Sequence, residues 1–270
     1  MKKHSSTQPI GIFDSGIGGL TVASAIVKHM PHENIIYFGD TAHLPYGDKS
    51  SATIQAYSVK IAHMLLQQQC KMILIACNSA STAAYELIKE YAANQAIVMN
   101  VVDPVVSFLR DHYSHKKIGL IGTRQTVYSN VYKKKIDHLD RGIHLTSRAT
   151  NLLASAIEEF GSNGVTDSLV EEYLSHASLQ DIDALLLACT HYPVVKNKIA
   201  AFFQHKIEII DPSETVAKAV KNRLEEENLL NSGSKGLKQF YVSDYTDSFA
   251  AGTKIFFQED INLEHYPLWE

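Results

Sequence analysis

The sequence predicts an α/β protein built from two similar units, each with a mainly parallel sheet. Short apolar segments recur along the chain, and amphipathic segments follow many of them. Strands that are apolar on both faces and alternate with helices are typical of parallel sheets covered on both sides. The predicted strands are 10–13, 34–38, 71–76, 97–101, 117–121, 143–147, 184–188, 207–210 and 239–242, and the clearest predicted helices are 18–29, 50–68 and 79–92.

An internal repeat supports the prediction of two units. Three pairs of similar segments follow in the same order, with offsets of about 108 to 112 residues. The pairs are 10–13 with 118–121, 74–78 with 186–190, and 101–104 with 209–212. Ligands of open parallel sheets bind beyond the carboxyl ends of the strands. Since Cys77 and Cys189 follow matching strands, we expect them on opposite sides of one pocket.

Composition excludes several classes of protein. The chain has 25 Lys and Arg against 29 Asp and Glu, a net charge of −4, which gives no reason to expect a nucleic acid or an anionic membrane as partner. Three cysteines without CxxC spacing predict neither a disulfide framework nor a zinc site. The polar residues 1–9 do not resemble a signal peptide, and no apolar run reaches the roughly 18 residues of a membrane span. We expect a soluble cytoplasmic protein with reduced thiols.

The two cysteines are the first candidates for chemistry. Cys77 precedes Asn78 and Ser79 at a predicted helix start, where the helix dipole favours a thiolate and backbone amides can bind a carboxylate. Taken alone, a cysteine after an apolar strand is better explained by burial. Cys189 lies in the same setting, with His191 two residues later as a candidate to assist proton transfer. The third cysteine, Cys70, lacks such a context and is interpreted as structural.

Loops at other strand ends supply further candidates. The segment 14–19, Asp-Ser-Gly-Ile-Gly-Gly, permits a close backbone approach to a ligand but matches neither GxGxxG nor a P-loop. Asp14 is a candidate polar group in the cleft, or alternatively the N-cap of the next helix. The segment 44–47 is a loop of turn formers, and Thr123 and Thr126 supply hydroxyls at a helix start. Glu158 and Glu159 close an apolar helical segment.

In order along the chain, these motifs resemble the glutamate racemase family of the aspartate/glutamate racemase superfamily. The resemblance covers about residues 10–212 and continues weakly through 240–244. The segments that carry it are Asp14-Ser15-Gly16-Ile17-Gly18-Gly19, Pro45-Tyr46-Gly47, Ala76-Cys77-Asn78-Ser79-Ala80-Ser81, Gly122-Thr123-x-x-Thr126 and Cys189-Thr190-His191-Tyr192-Pro193.

The resemblance implies two pseudo-symmetric α/β domains with the active site in the cleft between them. One domain would comprise residues 1–99 and 213–270, and the other residues 100–212. The implied activity is an isomerase reaction, the interconversion of L- and D-glutamate without a cofactor or a metal. The reaction would supply D-glutamate for peptidoglycan synthesis and would thereby support the cell wall and cell shape. We also expect a homodimer, the commonest oligomeric state, and no activation by a cell-wall precursor, because the N-terminal extension is short.

The resemblance also implies roles for individual residues. Cys77 and Cys189 would be the catalytic pair, with Cys77 taking the proton from D-glutamate and Cys189 from L-glutamate. Asp14 and His191 would support the thiols, and Glu158 would be the acidic helper, although Glu159 stays an alternative because the prolines typical of the preceding segment are missing. Ser79 stands where the family usually has threonine. The expected substrate contacts are Asp14, Ser15, Pro45, Tyr46, Gly47, Asn78, Ser79, Thr123, Thr126, Thr190 and His191.

Two opposed thiols suit racemisation, which removes a proton from one face of the α-carbon and delivers one to the other. An unperturbed thiol pKa of about 8.5 keeps both forms accessible. Three alternatives remain open at this point. One is a two-cysteine racemase acting on aspartate or another small acid. Another is a thiol hydrolase using Cys189 and His191. The last is a carboxylate-binding module without catalysis.

Overall fold

The computed structural model describes residues 4–270, except for the side chains of residues 247, 248 and 251, so residues 1–3 of the polar start of the chain lie outside the description. Most strands lie within one or two residues of the predicted segments. The short β10 was not predicted, because three residues carry no apolar run. The strands are β1 (Ile10–Asp14), β2 (Ile35–Gly39), β3 (Met72–Ile75), β4 (Ile97–Asn100), β5 (Lys117–Gly122), β6 (His144–Ala149), β7 (Ala184–Ala188), β8 (Glu208–Ile210), β9 (Lys238–Val242) and β10 (Leu263–His265).

The helices connect and cover these strands. The predicted helix 50–68 is α2, and the predicted helix 79–92 is α3. The helices are α1 (Leu20–His29), α2 (Ser51–Gln67), α3 (Asn78–Ala92), α4 (Val102–His112), α5 (Arg124–Tyr128), α6 (Val131–Asp137), α7 (Leu153–Phe160), α8 (Gly164–Leu174), α9 (Lys196–Phe202), α10 (Pro212–Glu226) and α11 (Asp247–Phe257).

The strands form two sheets, and the prediction of an α/β protein with mainly parallel sheets is confirmed. The first sheet has six strands in the order β10-β9-β2-β1-β3-β4, and the second has four in the order β6-β5-β7-β8. The strand pairs are parallel in both sheets. The order β2-β1-β3-β4 in the first sheet recurs as β6-β5-β7-β8 in the second. Cys77 follows β3 and Cys189 follows β7, so the two cysteines occupy equivalent places. The domain limits stay a prediction.

A continuous apolar core joins the two sheets. It includes Leu20 from α1, Leu74 from β3, Leu187 from β7 and Val216 from α10, all fully buried. Each such side chain contributes about 1.5–3 kcal/mol when it is removed from water. A second cluster packs α2 and α3 on the outer face of the first sheet, and a third packs α4 and α6 on the second. This packing fixes the strand ends that carry the cysteines.

Within residues 4–270, no helix is both long enough and apolar enough to cross a lipid bilayer.

Candidate active site

A buried cavity lies where the carboxyl ends of β1, β3, β5 and β7 meet. Both Cys77 and Cys189 line it, as do most of the substrate contacts expected from the sequence. The lining residues are Ser15, Leu44, Pro45, Tyr46, Gly47, Cys77, Asn78, Ser79, Thr123, Ala154, Ser155, Glu158, Ala188, Cys189, Thr190 and His191.

The cavity is small, and two of its lining residues, Pro45 and Ser155, are exposed to solvent. Its volume is about 30 Å³, room for about two or three water molecules, since each requires about 10–15 Å³ of such space. An amino acid therefore enters only when the elements of the two sheets move apart. A larger groove of about 470 Å³ runs along the edge strand β4. We do not assign the chemistry to it, because neither Cys77 nor Cys189 reaches it.

Cys77 caps the N-terminus of α3. Its Sγ accepts a hydrogen bond from the Ala80 amide at 3.5 Å and lies 3.7 Å from Ser15 Oγ. Burial, reinforced by the nearby Asp14 charge, raises the pKa of the Cys77 thiol to about 12, although the Ala80 amide and Ser15 act in the opposite direction. The helix start does favour the thiolate, as the sequence predicts, but one weak amide contact does not offset the loss of water.

Cys189 has a different environment. It is followed by a short 3₁₀ helix, Tyr192–Val195, rather than directly by an α-helix. The setting therefore matches that of Cys77 only in its strand end. Cys189 Sγ lies 3.8 Å from His191 Nδ1, and His191 Nε2 lies 3.0 Å from Glu158 Oε2. Thiol, imidazole and carboxylate form one hydrogen-bonded chain.

The environment of His191 favours its cation. Burial lowers the pKa of His191, but the hydrogen bonds to Cys189 and Glu158 outweigh burial and hold the pKa well above its ordinary value. The cation donates through both ring nitrogens, to sulfur on one side and to the carboxylate on the other. Glu158 is mostly buried and Glu159, on the same helix, is exposed. The structure therefore brings Glu158, and not Glu159, to the site.

Asp14 lies directly behind the cavity wall. Its Oδ2 accepts hydrogen bonds from the amides of Gly16 (3.2 Å) and Gly19 (3.0 Å), which fixes the start of α1. Its Oδ1 accepts a hydrogen bond from Thr190 Oγ1 at 3.4 Å, across to the second sheet. Burial raises the pKa of Asp14, partly offset by His191 and the two amides. Asp14 does not line the cavity in this structure, and its contact with the substrate stays a prediction.

Thr126 also lies outside the lining, and its contact with the substrate likewise stays a prediction. Its hydroxyl lies 3.1 Å from Thr123 Oγ1, and its amide donates to the same atom at 3.3 Å. Thr123 in turn lies 2.8 Å from Ser79 Oγ, across from the first sheet. Thr126 therefore supports Thr123 and lies outside the lining of the cavity, because it sits one helical turn further along α5.

Close contacts across the two sheets hold the cavity shut. A Cβ at Gly18 would lie 2.4 Å from the His191 ring, and a Cβ at Gly47 would lie 2.6 Å from Thr123 Cβ. Only glycine permits these approaches.

A supporting residue that the sequence did not reveal is Tyr132, whose hydroxyl donates to Asn78 Oδ1 at 2.8 Å. Leu44, Ala154, Ser155 and Ala188 were also missed among the lining residues. The one signal in the sequence for these four residues was that they lie close to the motifs along the chain. Tyr132 gave none, because it comes from a distant helix.

Among the described side chains, which do not include that of Asp247, no group of three or more His, Cys, Asp or Glu is arranged to hold a metal ion.

The chain matches a known family over most of its length. The model of the Asp/Glu/hydantoin racemase family matches residues 20–220. The glutamate racemase of Chlorobaculum parvum is 38% identical over 256 residues, which cover 94% of each chain. The glutamate racemase of Francisella tularensis, solved in complex with D-glutamate, superposes with a TM-score of 0.90 at 38% identity and covers 98% of this chain and 99% of that one. An isoform from Bacillus anthracis superposes with a TM-score of 0.91 at 31% identity, covering 98% of each chain.

Proposed function

Because this chain belongs to the Asp/Glu/hydantoin racemase family and is an amino-acid racemase, we propose that it interconverts L- and D-glutamate through Cys77 and Cys189 without a cofactor. One observation carries the proposal: two cysteines at equivalent strand ends line the same buried cavity. Proton removal from one face of the α-carbon and delivery to the other require one acid and one base. A thiol and a thiolate supply both.

The surroundings of the thiols suggest which one starts as base. With L-glutamate, the Cys189 thiolate takes the α-proton, and the Cys77 thiol delivers its own proton to the opposite face. Turnover leaves Cys189 protonated and Cys77 as thiolate, the state that accepts D-glutamate in the reverse direction. The raised pKa of Cys77 supports its role as the initial acid. The His191 cation lies beside Cys189, where its Nδ1 is 3.8 Å from the sulfur and can donate a hydrogen bond to it.

The cavity wall supports an amino-dicarboxylate as substrate. Hydroxyl groups of Ser15, Ser79, Thr123 and Thr190 and the amide of Asn78 surround the thiols. They can satisfy carboxylates and stabilise the charge that develops at the α-carbon.

From its similarity to glutamate racemases, we further propose that the enzyme works in the cytoplasm as a homodimer. It supplies D-glutamate for peptidoglycan and thereby supports the cell wall and cell shape.

Proton exchange in D₂O tests the activity. Purified protein and L-glutamate are mixed with EDTA and no added cofactor, and circular dichroism and proton NMR follow the reaction. We expect optical activity to decay to zero while deuterium enters the α-position. A parallel reaction with L-aspartate distinguishes a racemase for the shorter acid. Binding of glutamate without deuterium incorporation would contradict the proposal and favour a carboxylate-binding module.

Substitution of each cysteine tests the mechanism. We expect Cys77→Ser and Cys189→Ser each to lower turnover by about 10²–10⁴-fold, the usual contribution of a positioned acid or base. Cys70→Ala is the matched control, because Cys70 is buried outside the cavity. A wild-type rate in Cys189→Ser would refute the two-thiol mechanism. If Cys189→Ser loses activity while Cys77→Ser keeps it, and mass spectrometry detects a trapped acyl-enzyme, the result would indicate a thiol hydrolase.

A further inference from the structure

The Asp40 carboxylate lies outside the cavity and has no part in the proton transfer described above. It follows β2 and is fully buried. Four side chains from three separate segments donate hydrogen bonds to it. These are Tyr46 Oη at 2.5 Å, Ser243 Oγ at 2.8 Å, Trp269 Nε1 at 2.8 Å and His43 Nδ1 at 3.0 Å. Such a concentration of donors on one buried carboxylate fixes the segments that carry them, because hydrogen bonds to a charged group are the stronger ones.

One of these segments forms part of the cavity wall. Tyr46 and Gly47 belong to a short 3₁₀ helix, Tyr46–Asp48, and both line the cavity. The Tyr46 ring is buried, and its hydroxyl is engaged by Asp40. Gly47 packs so closely on Thr123 that no side chain fits between them. A displacement of this segment therefore reaches the cavity directly.

Another segment is the end of the chain. Trp269, the single tryptophan, is half-buried one residue before the C-terminus. Its ring packs edge-on against His43 and Tyr57, with centroid distances of 4.5 and 5.3 Å. The ammonium group of Lys60 lies 4.5 Å from the ring centroid. The indole therefore packs against aromatic side chains and also donates a hydrogen bond to Asp40. The pairing of β10 with β9 places this end of the chain beside Asp40.

We propose that Asp40 is a positioning residue for the Tyr46–Gly47 wall and that Trp269 anchors it, so that the C-terminus controls affinity for the amino acid. The inference rests on the proposed function for the identity of the substrate. A wall that contacts the substrate equally in the ground state and the transition state affects KM rather than kcat. Loss of the anchor loosens the wall and leaves the thiols in place.

Two conservative variants test the proposal by steady-state kinetics with glutamate. Asp40→Asn keeps the shape and an acceptor oxygen but removes the charge, and Trp269→Phe keeps an aromatic ring but removes the donor. We expect KM to rise about tenfold or more in Asp40→Asn and about 3- to 10-fold in Trp269→Phe, with kcat within about twofold of wild type. In the double variant Asp40→Asn/Trp269→Phe, we expect KM to rise by less than the product of the two single-variant factors, because both substitutions act on the same interaction. Glu270→Gln is the matched control, since Glu270 is exposed and contacts His265.

Tryptophan fluorescence adds a readout that a purely structural role would not change. All tryptophan emission comes from Trp269. Titration with racemic glutamate produces no net reaction, so a change in emission reports binding. We expect wild type to change emission with a midpoint near KM, and Asp40→Asn to change it only at higher concentration.

The outcomes separate this proposal from the proposed function. If wild type does not racemise glutamate, the proposed function fails. If wild type is active but KM in Trp269→Phe equals that of wild type, the anchoring role is wrong, and this variant decides the matter even if Asp40→Asn does not fold. Equal changes in Glu270→Gln, or an emission that ignores glutamate, also overturn the proposal. A rise in KM alone, together with a shifted fluorescence titration, supports it.

Discussion

The contact between Glu158 and His191 allows a quantitative prediction. Glu158→Gln keeps the size of the side chain and removes its charge. The two groups lie 3.0 Å apart with side-chain exposures of only 13% and 7%, so water screens them little. A hydrogen bond to a charged group contributes about 1.5–3 kcal/mol, and about 1.4 kcal/mol corresponds to a factor of ten in rate. We therefore expect kcat/KM to fall by about 10- to 150-fold.

The direction of the pH effect follows from the same contact. The pKa of His191 is held well above its ordinary value by Cys189 and Glu158 against the effect of burial. Removal of the Glu158 charge lowers that pKa, so the imidazolium is lost at a lower pH. The alkaline limb of the profile of kcat/KM against pH therefore moves towards acid.

The assay is racemisation of L-glutamate across the pH range, followed by circular dichroism. Glu159→Gln is the matched control, because Glu159 is the exposed neighbour on the same helix. An unchanged alkaline limb in Glu158→Gln would refute the assigned chain from carboxylate to thiol. So would the same shift in Glu159→Gln.

Two further predictions concern substrate affinity and stability. Tyr132→Phe removes the donor that orients the Asn78 amide and should raise KM by about 2- to 12-fold, the equivalent of one neutral hydrogen bond; an unchanged KM in steady-state kinetics would exclude this role. Lys71→Met leaves Glu33 buried without its cation, since both side chains are fully buried and 2.5 Å apart, and should lower the free energy of unfolding in urea by about 3–5 kcal/mol. Adding Glu33→Leu should restore part of that loss, and no recovery would contradict the explanation.

The sequence was sufficient to predict every strand except the short β10, and the residues at the strand ends. Parallel strands such as β3 and β7 are apolar on both faces, so their positions appear in the sequence without knowledge of the fold. The place of Cys77 and Cys189 then followed from a general property of parallel sheets, that their carboxyl ends carry the ligand site. The repeat predicted that both cysteines line one pocket.

Other features depend on contacts between distant segments and left no local signal. Tyr132 reaches Asn78 from another helix, and Trp269 reaches Asp40 from the end of the chain. The helix start that favours a Cys77 thiolate is visible in the sequence, whereas the depth of burial that outweighs it is not.

The repeated strand order places equivalent thiols in unequal surroundings, with Ser15 and the Ala80 amide near Cys77 and His191 near Cys189. Enantiomers have equal free energies in water, so for a glutamate racemase the ratio kcat/KM must be identical in the two directions, in wild type and in every variant. Any difference in kcat between the two directions is therefore matched by an equal factor in KM. It determines which enantiomer saturates the enzyme first, and it gives no preference to either product at equilibrium.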